Sequence, residues 1–311
     1  MRLALLLFIA PIILLGGCSS SSGPANLVEA DPCLTLAAPR DVEFARPPAW
    51  QPAAELPRYC QVQGTIAGRI QFEYRMPEQW NGRFMMAGCG GFCGAVLADK
   101  PGHSNTINIA LQRGYAAISH DGGHQAANAD TSWAFDDPEA LEIWAHKVLP
   151  LVVAAGTDMA SGFYGKPPAY RYFSGCSNGG RLGMMAAQRY PELFDGIAAG
   201  ASIFDLSGTA GLWGNWMITQ LQSAGAPITP AQQALVKDAV MQQCDGKDGA
   251  NDGIIQQPRQ CEFDFTSLQC SGSTAASEQC LAAEQVARLQ RLYGGVMTSA
   301  GERIYPALEY G

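Results

Sequence analysis

The chain has 311 residues, 47% of them hydrophobic and 15% charged, with 20 basic against 28 acidic side chains and a formal net charge of −8. That length leaves room for one large domain or two ordinary ones, and that hydrophobic fraction can bury a core and excludes disorder over most of the chain. So acidic and charge-poor a composition lacks the basic footprint that nucleic-acid binding requires.

The first predicted element is a targeting segment. Met1 and Arg2 precede an apolar run from Leu3 to Leu15, whose 13 residues are too few for a bilayer that needs about 20. Leu15-Gly16-Gly17-Cys18 reads as the lipobox of a bacterial lipoprotein, which predicts a signal peptide over 1–17 and a lipid on Cys18. Ser19 to Gly23 is a flexible tether ended by Pro24, within a linker region spanning 18–30. The expected location is the bacterial cell envelope, periplasm or outer membrane, with the membrane reached only through the lipid. An exported chain uses its cysteines as disulfides. Ten are present, and giving Cys18 to a lipid leaves nine, so one thiol stays unpaired or has its partner elsewhere.

From Gln61 to Met76 the apolar residues Val62, Ile66, Ile70, Phe72, Tyr74 and Met76 fall on even positions, with Gly64 and Gly68 between; this period of two predicts a pair of strands. Arg83 to Ala87 is a further short strand, broken by the glycine loop Gly88 to Gly91. Tyr115 to Ser119 is a buried strand ending in His120-Asp121-Gly122-Gly123-His124. Helical spacing of Leu141, Trp144, Val148 and Val152 predicts a helix over 139–163, kinked at Pro150. Then follow a strand (170–174), a helix (178–190) stopped by Pro191, and another strand (196–201). Strand, helix, strand at this spacing is a parallel unit, so the class is α/β. After about Leu206 the pattern changes to Trp213 and Trp216, a polar helix over 229–241, an Asp/Gly loop and four Cys, which predicts a separate cap or lid.

The sharpest chemical signal is Gly175-Cys176-Ser177-Asn178-Gly179-Gly180, a G-x-S-x-G motif set between a strand and a helix. An abrupt strand-to-helix turn holds a serine in a strained conformation at the sheet's carboxyl edge, and flanking glycines let the chains pass closely. The amide of Asn178, at the helix N-terminus, then points at a developing oxyanion. A second amide is expected from Gly88-Cys89-Gly90-Gly91, with Gly91 first and Gly90 in reserve. Cys89 and Cys93 either staple this loop to itself or pair elsewhere.

In the loop from Cys244 to Ile254, Asp245, Asp248 and Asp252 place three carboxylates within eight residues, which suits a hard cation such as Ca²⁺. Backbone carbonyls of Ala250 and Ile254 complete the expected shell, and a Cys244–Cys261 bond would close the loop. Ser177 also needs a general base. The four histidines, His103, His120, His124 and His146, all precede it, whereas an α/β-hydrolase places acid and then His after the serine. A relocated triad using His120 or His124 with Asp121 is the less favoured reading, since histidines that cap loops are far commoner.

Trp80-Asn81-Gly82-Arg83-Phe84, Gly88 to Gly94, Asp121-Gly122-Gly123-His124, Gly175 to Arg181, Asp195-Gly196 with Ala199-Gly200-Ala201, and the Cys244 to Ile254 loop together resemble the tannase and feruloyl esterase family. That family also contains hydrolases of mono(hydroxyethyl) terephthalate, and the resemblance runs from about Pro32 to the last residue. It implies an α/β-hydrolase core with an inserted lid, here the nucleophile half over 31–205 and a partial lid over 206–311. It further implies Ser177 as nucleophile, the amides of Asn178 and Gly91 as oxyanion hole, and Asp245, Asp248, Ala250, Asp252 and Ile254 around a structural Ca²⁺. In the family a disulfide ties the Cys beside the serine to a Cys beside the catalytic His. That makes Cys176 the odd one, leaving Cys33–Cys60, Cys244–Cys261 and Cys270–Cys280 to pair off.

The family's Asp and His-Cys lie well downstream, so the chain reads as the amino-terminal part of a serine esterase for esters of aromatic acids. It is expected to be truncated inside the lid and to have little or no activity as it stands. No organic cofactor is implied. Trp213, Trp216 and the stretch from Ile203 to Leu206 are expected near the substrate pocket. The rival reading is a non-catalytic, calcium-stabilised envelope lipoprotein on a hydrolase scaffold.

Overall fold

The computed structural model describes residues 30–99, 107–223, 225–271 and 277–310. The signal peptide, Cys18, nearly all of the tether and His103 lie outside the described residues.

The strands β1 (Val42–Phe44), β2 (Ala49–Gln51), β3 (Tyr59–Ile66), β4 (Ile70–Pro77), β5 (Arg83–Ala87), β6 (Ala116–His120), β7 (Tyr170–Cys176) and β8 (Gly196–Gly200) form one mixed sheet. Its order is β1-β3-β4-β6-β5-β7-β8, with β2 also paired to β3. The period-two segment folds as the antiparallel hairpin β3–β4, with Ile66 opposite Ile70. Ala67 and Gly68 turn it, both at positive φ, which suits the right-handed twist of a tight hairpin. The side chains of Val62, Phe72, Tyr74 and Met76 are buried as the alternation predicts, but Glu73 and Arg75 on the other face are buried too. Strands β6, β5, β7 and β8 are mutually parallel. Their carboxyl ends therefore share one edge, where Gly88, Asp121, Ser177 and Ala201 emerge.

Helix α1 (Asn108–Gln112) precedes β6. The helix expected over 139–163 is α2 (Pro138–Glu142), capped by the Asp137 carboxylate accepting from the Ala140 amide, then a π-helical turn (Ile143–Lys147), then α3 (Val148–Tyr164). The discontinuity precedes Pro150. A proline has no N–H for the carbonyl four residues back, and the chain accommodates this by widening the turn. Helix α4 (Asn178–Arg189) follows β7 and stops ahead of Pro191. Phe84, Met86, Ile118, Val152, Met159, Phe173 and Leu182 belong to the core between helices and sheet.

Beyond β8 a π-helical segment (Ser207–Gly214) runs into α5 (Asn215–Gln222), followed by α6 (Pro230–Cys244) and α7 (Ala283–Gly294). Thr229 and Gln232 cap α6 reciprocally, a capping box that explains where the helix starts. Val236, Val240, Cys244, Phe265, Leu281, Val286 and Leu289 form a second hydrophobic cluster of their own. A short hairpin, β9 (Val296–Met297) with β10 (Arg303–Tyr305), follows. Four disulfides close: Cys33–Cys60, Cys89–Cys93, Cys244–Cys261 and Cys270–Cys280.

Candidate active site

Ser177 caps α4 with φ 59 and ψ −117, a conformation otherwise left almost wholly to glycine. Neighbouring backbone holds it there: its N–H donates to the Gly200 carbonyl at 3.0 Å, and its own carbonyl accepts from the Arg181 N–H at 3.0 Å. Glycines make the turn sterically feasible. A Cβ on Gly175 would lie 2.6 Å from the Gly179 carbonyl, and one on Gly180 would lie 2.2 Å from the Gly200 oxygen. The Ser177 side chain makes no cap hydrogen bond, so its hydroxyl stands at the sheet edge uncommitted to the helix.

The glycine loop after β5 lies beside this turn. The Gly88 N–H donates to the Ser174 carbonyl at 2.8 Å, anchoring the loop to β7. The Cys89–Cys93 disulfide resolves the open pairing: the loop is stapled to itself, and the Cys93 N–H closes a turn onto the Gly90 carbonyl at 3.0 Å. Gly91 sits at φ 58, and a Cβ there would overlap the Asn128 side chain. Asn128 holds the loop twice, donating its Nδ2 to the Gly90 carbonyl at 3.0 Å and accepting the Phe92 N–H on its own carbonyl at 2.9 Å. The N–H groups of Gly90 and Gly91 have no acceptor among the described residues. Across the gap the Asn178 side chain donates to the Cys89 carbonyl at 3.1 Å.

The three described histidines lie in separate environments. His120 is wholly buried, its Nδ1 accepts from the Gly122 amide, and burial pushes its pKa down to about 4. Asp121 accepts from the amides of Gln71 and Gly123 and from Gln125, yet burial outweighs these donors and lifts its pKa to about 6. His124 stacks on Trp133 at 3.6 Å, and burial lowers its pKa as well. His146 pairs with the Tyr190 hydroxyl at 2.8 Å. None of these three histidines hydrogen-bonds Ser177, and the relocated triad is not assembled among the described residues.

Cys176 is the one free cysteine among the described residues. It is half-buried and lines an open cleft of about 780 Å³ beside β5, β7 and β8, with Met85, Tyr115, Phe173 and Ile197. Past β8, Ile203, Phe204 and Asp205 line a cleft of about 440 Å³ with Tyr305 and Pro306; Trp213 and Trp216 do not contribute to its wall.

The Asp/Gly loop supplies only oxygen donors, the right chemistry for a hard cation. Its carboxylates, however, are turned to the loop's own amides: Asp245 accepts from Gly253, Asp248 from Ala250 and Gln256, and Asp252 from Ile254. No three His, Cys, Asp or Glu side chains converge on a metal position among the described residues.

Sequence reasoning passed over Asn128 and the partners of Arg181. Arg181 donates to the carbonyls of Ala145 at 2.8 Å and Trp144 at 3.1 Å, to the Asn178 side chain at 2.7 Å, and lies 4.1 Å over the Trp144 ring. Its place one turn after Ser177 was readable, whereas its partners depend on the π-helical turn, which no periodicity announces.

Comparison with known proteins places this geometry in context. The family model for tannase and feruloyl esterase matches residues 54–310. An uncharacterized esterase of Xanthomonas campestris pv. campestris is 36% identical over 260 residues, covering 82% of this chain and 44% of that protein. A mono(2-hydroxyethyl) terephthalate hydrolase of Piscinibacter sakaiensis is 36% identical over 297 residues, covering 83% of this chain and 49% of the hydrolase. Among solved structures, feruloyl esterase B from Aspergillus oryzae superposes with a TM-score of 0.76 at 26% identity, covering 90% of this chain and 59% of that one. The chain spans about half the length of the curated relatives it matches.

Proposed function

The chain belongs to the tannase and feruloyl esterase family, and from that premise we propose that its intact form is a serine carboxylic ester hydrolase acting on small esters of aromatic acids. The observation that carries this reading is the strained Ser177 at the head of α4, facing a stapled glycine loop whose amides at Gly90 and Gly91 lack acceptors among the described residues. In the first step Ser177 Oγ attacks the ester carbonyl carbon, its proton passes to a general base, and the alcohol departs with a proton. In the second, water attacks the acyl-serine and releases the acid. The negative oxygen formed in each step is stabilised by the backbone N–H groups of Asn178 and Gly91. None of His120, His124 and His146 is assigned as the base in this scheme; the base and its carboxylate partner are proposed to lie downstream of Gly311, as the family resemblance implies. A cysteine beside that base is the partner proposed for Cys176. Residues 1–311 alone then have little or no activity.

The aromatic acid class is supported by the activities for which two relatives are named, a terephthalate monoester hydrolase and a feruloyl esterase. Residues 206–311 are read as part of a lid, with the Ile203–Asp205 cleft near the acyl group. The Asp/Gly loop is proposed to bind Ca²⁺ after its carboxylates turn away from the loop amides. Lipidation of Cys18 would hold the protein in the cell envelope.

The deciding experiment compares hydrolysis of methyl ferulate and of mono(2-hydroxyethyl) terephthalate by residues 1–311, by the polypeptide continued through any downstream coding sequence, and by its Ser177→Ala variant. Activity in the continued form, lost with Ser177→Ala, is expected. Failure of every form to cleave any aromatic ester would sink the esterase reading and favour a non-catalytic envelope protein stabilised by calcium.

A further inference from the structure

Asn178 is joined to the glycine loop by its side chain as well as facing it with its backbone. Its Nδ2 donates to the Cys89 carbonyl at 3.1 Å and approaches Cys93 Sγ at 3.3 Å, so it touches both ends of the disulfide-closed turn that carries Gly90 and Gly91. An amide side chain can flip, exchanging donor for acceptor. Here the flip is prevented, because Asn178 Oδ1 accepts from Arg181 Nε at 2.7 Å and a guanidinium has no acceptor to offer in return. Arg181 is itself more than nine-tenths buried. Burial pulls its pKa down to about 10, still well above neutrality, so it remains a cation. It forms no salt bridge among the described residues and is instead held by the Trp144 and Ala145 carbonyls and the face of the Trp144 ring. Those two carbonyls lie in the π-helical turn (Ile143–Lys147).

We propose that Asn178 and Arg181 form a brace in which Arg181, anchored on the π-helical turn, fixes the Asn178 amide so that it ties the glycine loop to the nucleophile turn and sets the separation of the two oxyanion-binding amides. Arg181 is therefore a positioning residue, and the side chain of Asn178 has a task distinct from that of its backbone. The inference rests on the esterase reading for its consequence in catalysis, though not for the brace itself. A buried charge tied to dipoles rather than to a carboxylate suits this task. It supplies three directional contacts without a carboxylate that would repel a negative oxygen nearby.

The test uses the full polypeptide with Asn178→Ala, Arg181→Lys and their combination, and adds Asn178→Asp, which keeps an acceptor for Arg181 while losing the donor to Cys89. Hydrogen exchange across 88–94 is expected to accelerate in each variant while the sheet strands stay protected. Unchanged exchange in folded variants overturns the brace whether or not any ester is cleaved. On an aromatic ester, kcat is expected to fall roughly 10- to 100-fold with KM changed less than about threefold, the signature of misplaced transition-state donors. The combined Asn178→Ala and Arg181→Lys variant should be no slower than the slower single one. Faster exchange with undiminished kcat, or additive losses, would overturn the positioning role. An inactive parent enzyme combined with faster exchange would instead sink the esterase reading and leave the brace standing.

Discussion

Gly88 and Gly179 meet backbone to backbone: a Cβ on Gly88 would lie 2.9 Å from the Gly179 Cα, and one on Gly179 would lie 3.0 Å from the Gly88 carbonyl oxygen. This contact brings the end of β5 against the first turn of α4, and so puts the glycine loop beside Ser177. Gly→Ala within a helix normally stabilises by about 1 kcal/mol. At Gly179 the sign should reverse, with a loss of roughly 1–3 kcal/mol from overpacking against backbone. Urea unfolding of Gly179→Ala measures it, and a gain in stability would mean that the two segments can separate freely.

Arg75 and Glu73 form a buried ion pair on β4, with Arg75 also reaching Asp99 at 2.7 Å and Glu73 accepting from Gln61 at 3.0 Å and from Gln63. Removing the cation alone strands a buried carboxylate. Arg75→Met should therefore lower stability by about 3–5 kcal/mol. The double variant Glu73→Gln with Arg75→Met should recover more than half of that loss, since no buried charge remains unpaired. If the double variant is as unstable as the single one, packing rather than charge is what Arg75 contributes.

His120 and Asp121 oppose one another across nearly the same pH range. The folded-state pKa of His120 is lowered to about 4, so its contribution is present above its ordinary value of 6.5 and is lost as pH falls toward 4. The pKa of Asp121 is raised to about 6, so its contribution is full below 3.8 and is lost as pH rises through 6. Each amounts to roughly 3 kcal/mol, with opposite slopes. His120→Asn keeps an acceptor for the Gly122 amide and removes the imidazole titration. Its stability should fall more steeply between pH 4 and 6, relative to the parent, as pH rises. Parallel profiles for the two proteins would contradict this assignment.

Calcium should raise the melting temperature, because binding to the folded loop alone stabilises the native state. Asp248→Asn should abolish the rise, since it removes one of the loop carboxylates proposed to bind the cation, which now accepts two backbone amides. A melting temperature indifferent to both calcium and chelator would remove the cation from the account and leave the ester chemistry untouched.

Local features were open to reading because they follow from short-range sterics. Alternation in 61–76 announced the β3–β4 hairpin, the polar segment over 229–241 announced α6, and the glycines around Ser177 announced a turn that only glycines allow. The same rule is silent on whether the polar face of β4 is covered. Only sheet pairing on both edges with covering segments buries Glu73 and Arg75.

What the sequence by itself determined is the nucleophile turn, the α/β class and the expectation of disulfides, each written in residues adjacent along the chain. Tertiary structure alone decided that Cys89 pairs with Cys93, that His146 meets the Tyr190 hydroxyl, and that Arg181 reaches back to the turn holding Trp144 and Ala145. Those relations join segments up to tens of residues apart, and a buried donor takes whichever acceptor the packed chain brings within about 3 Å.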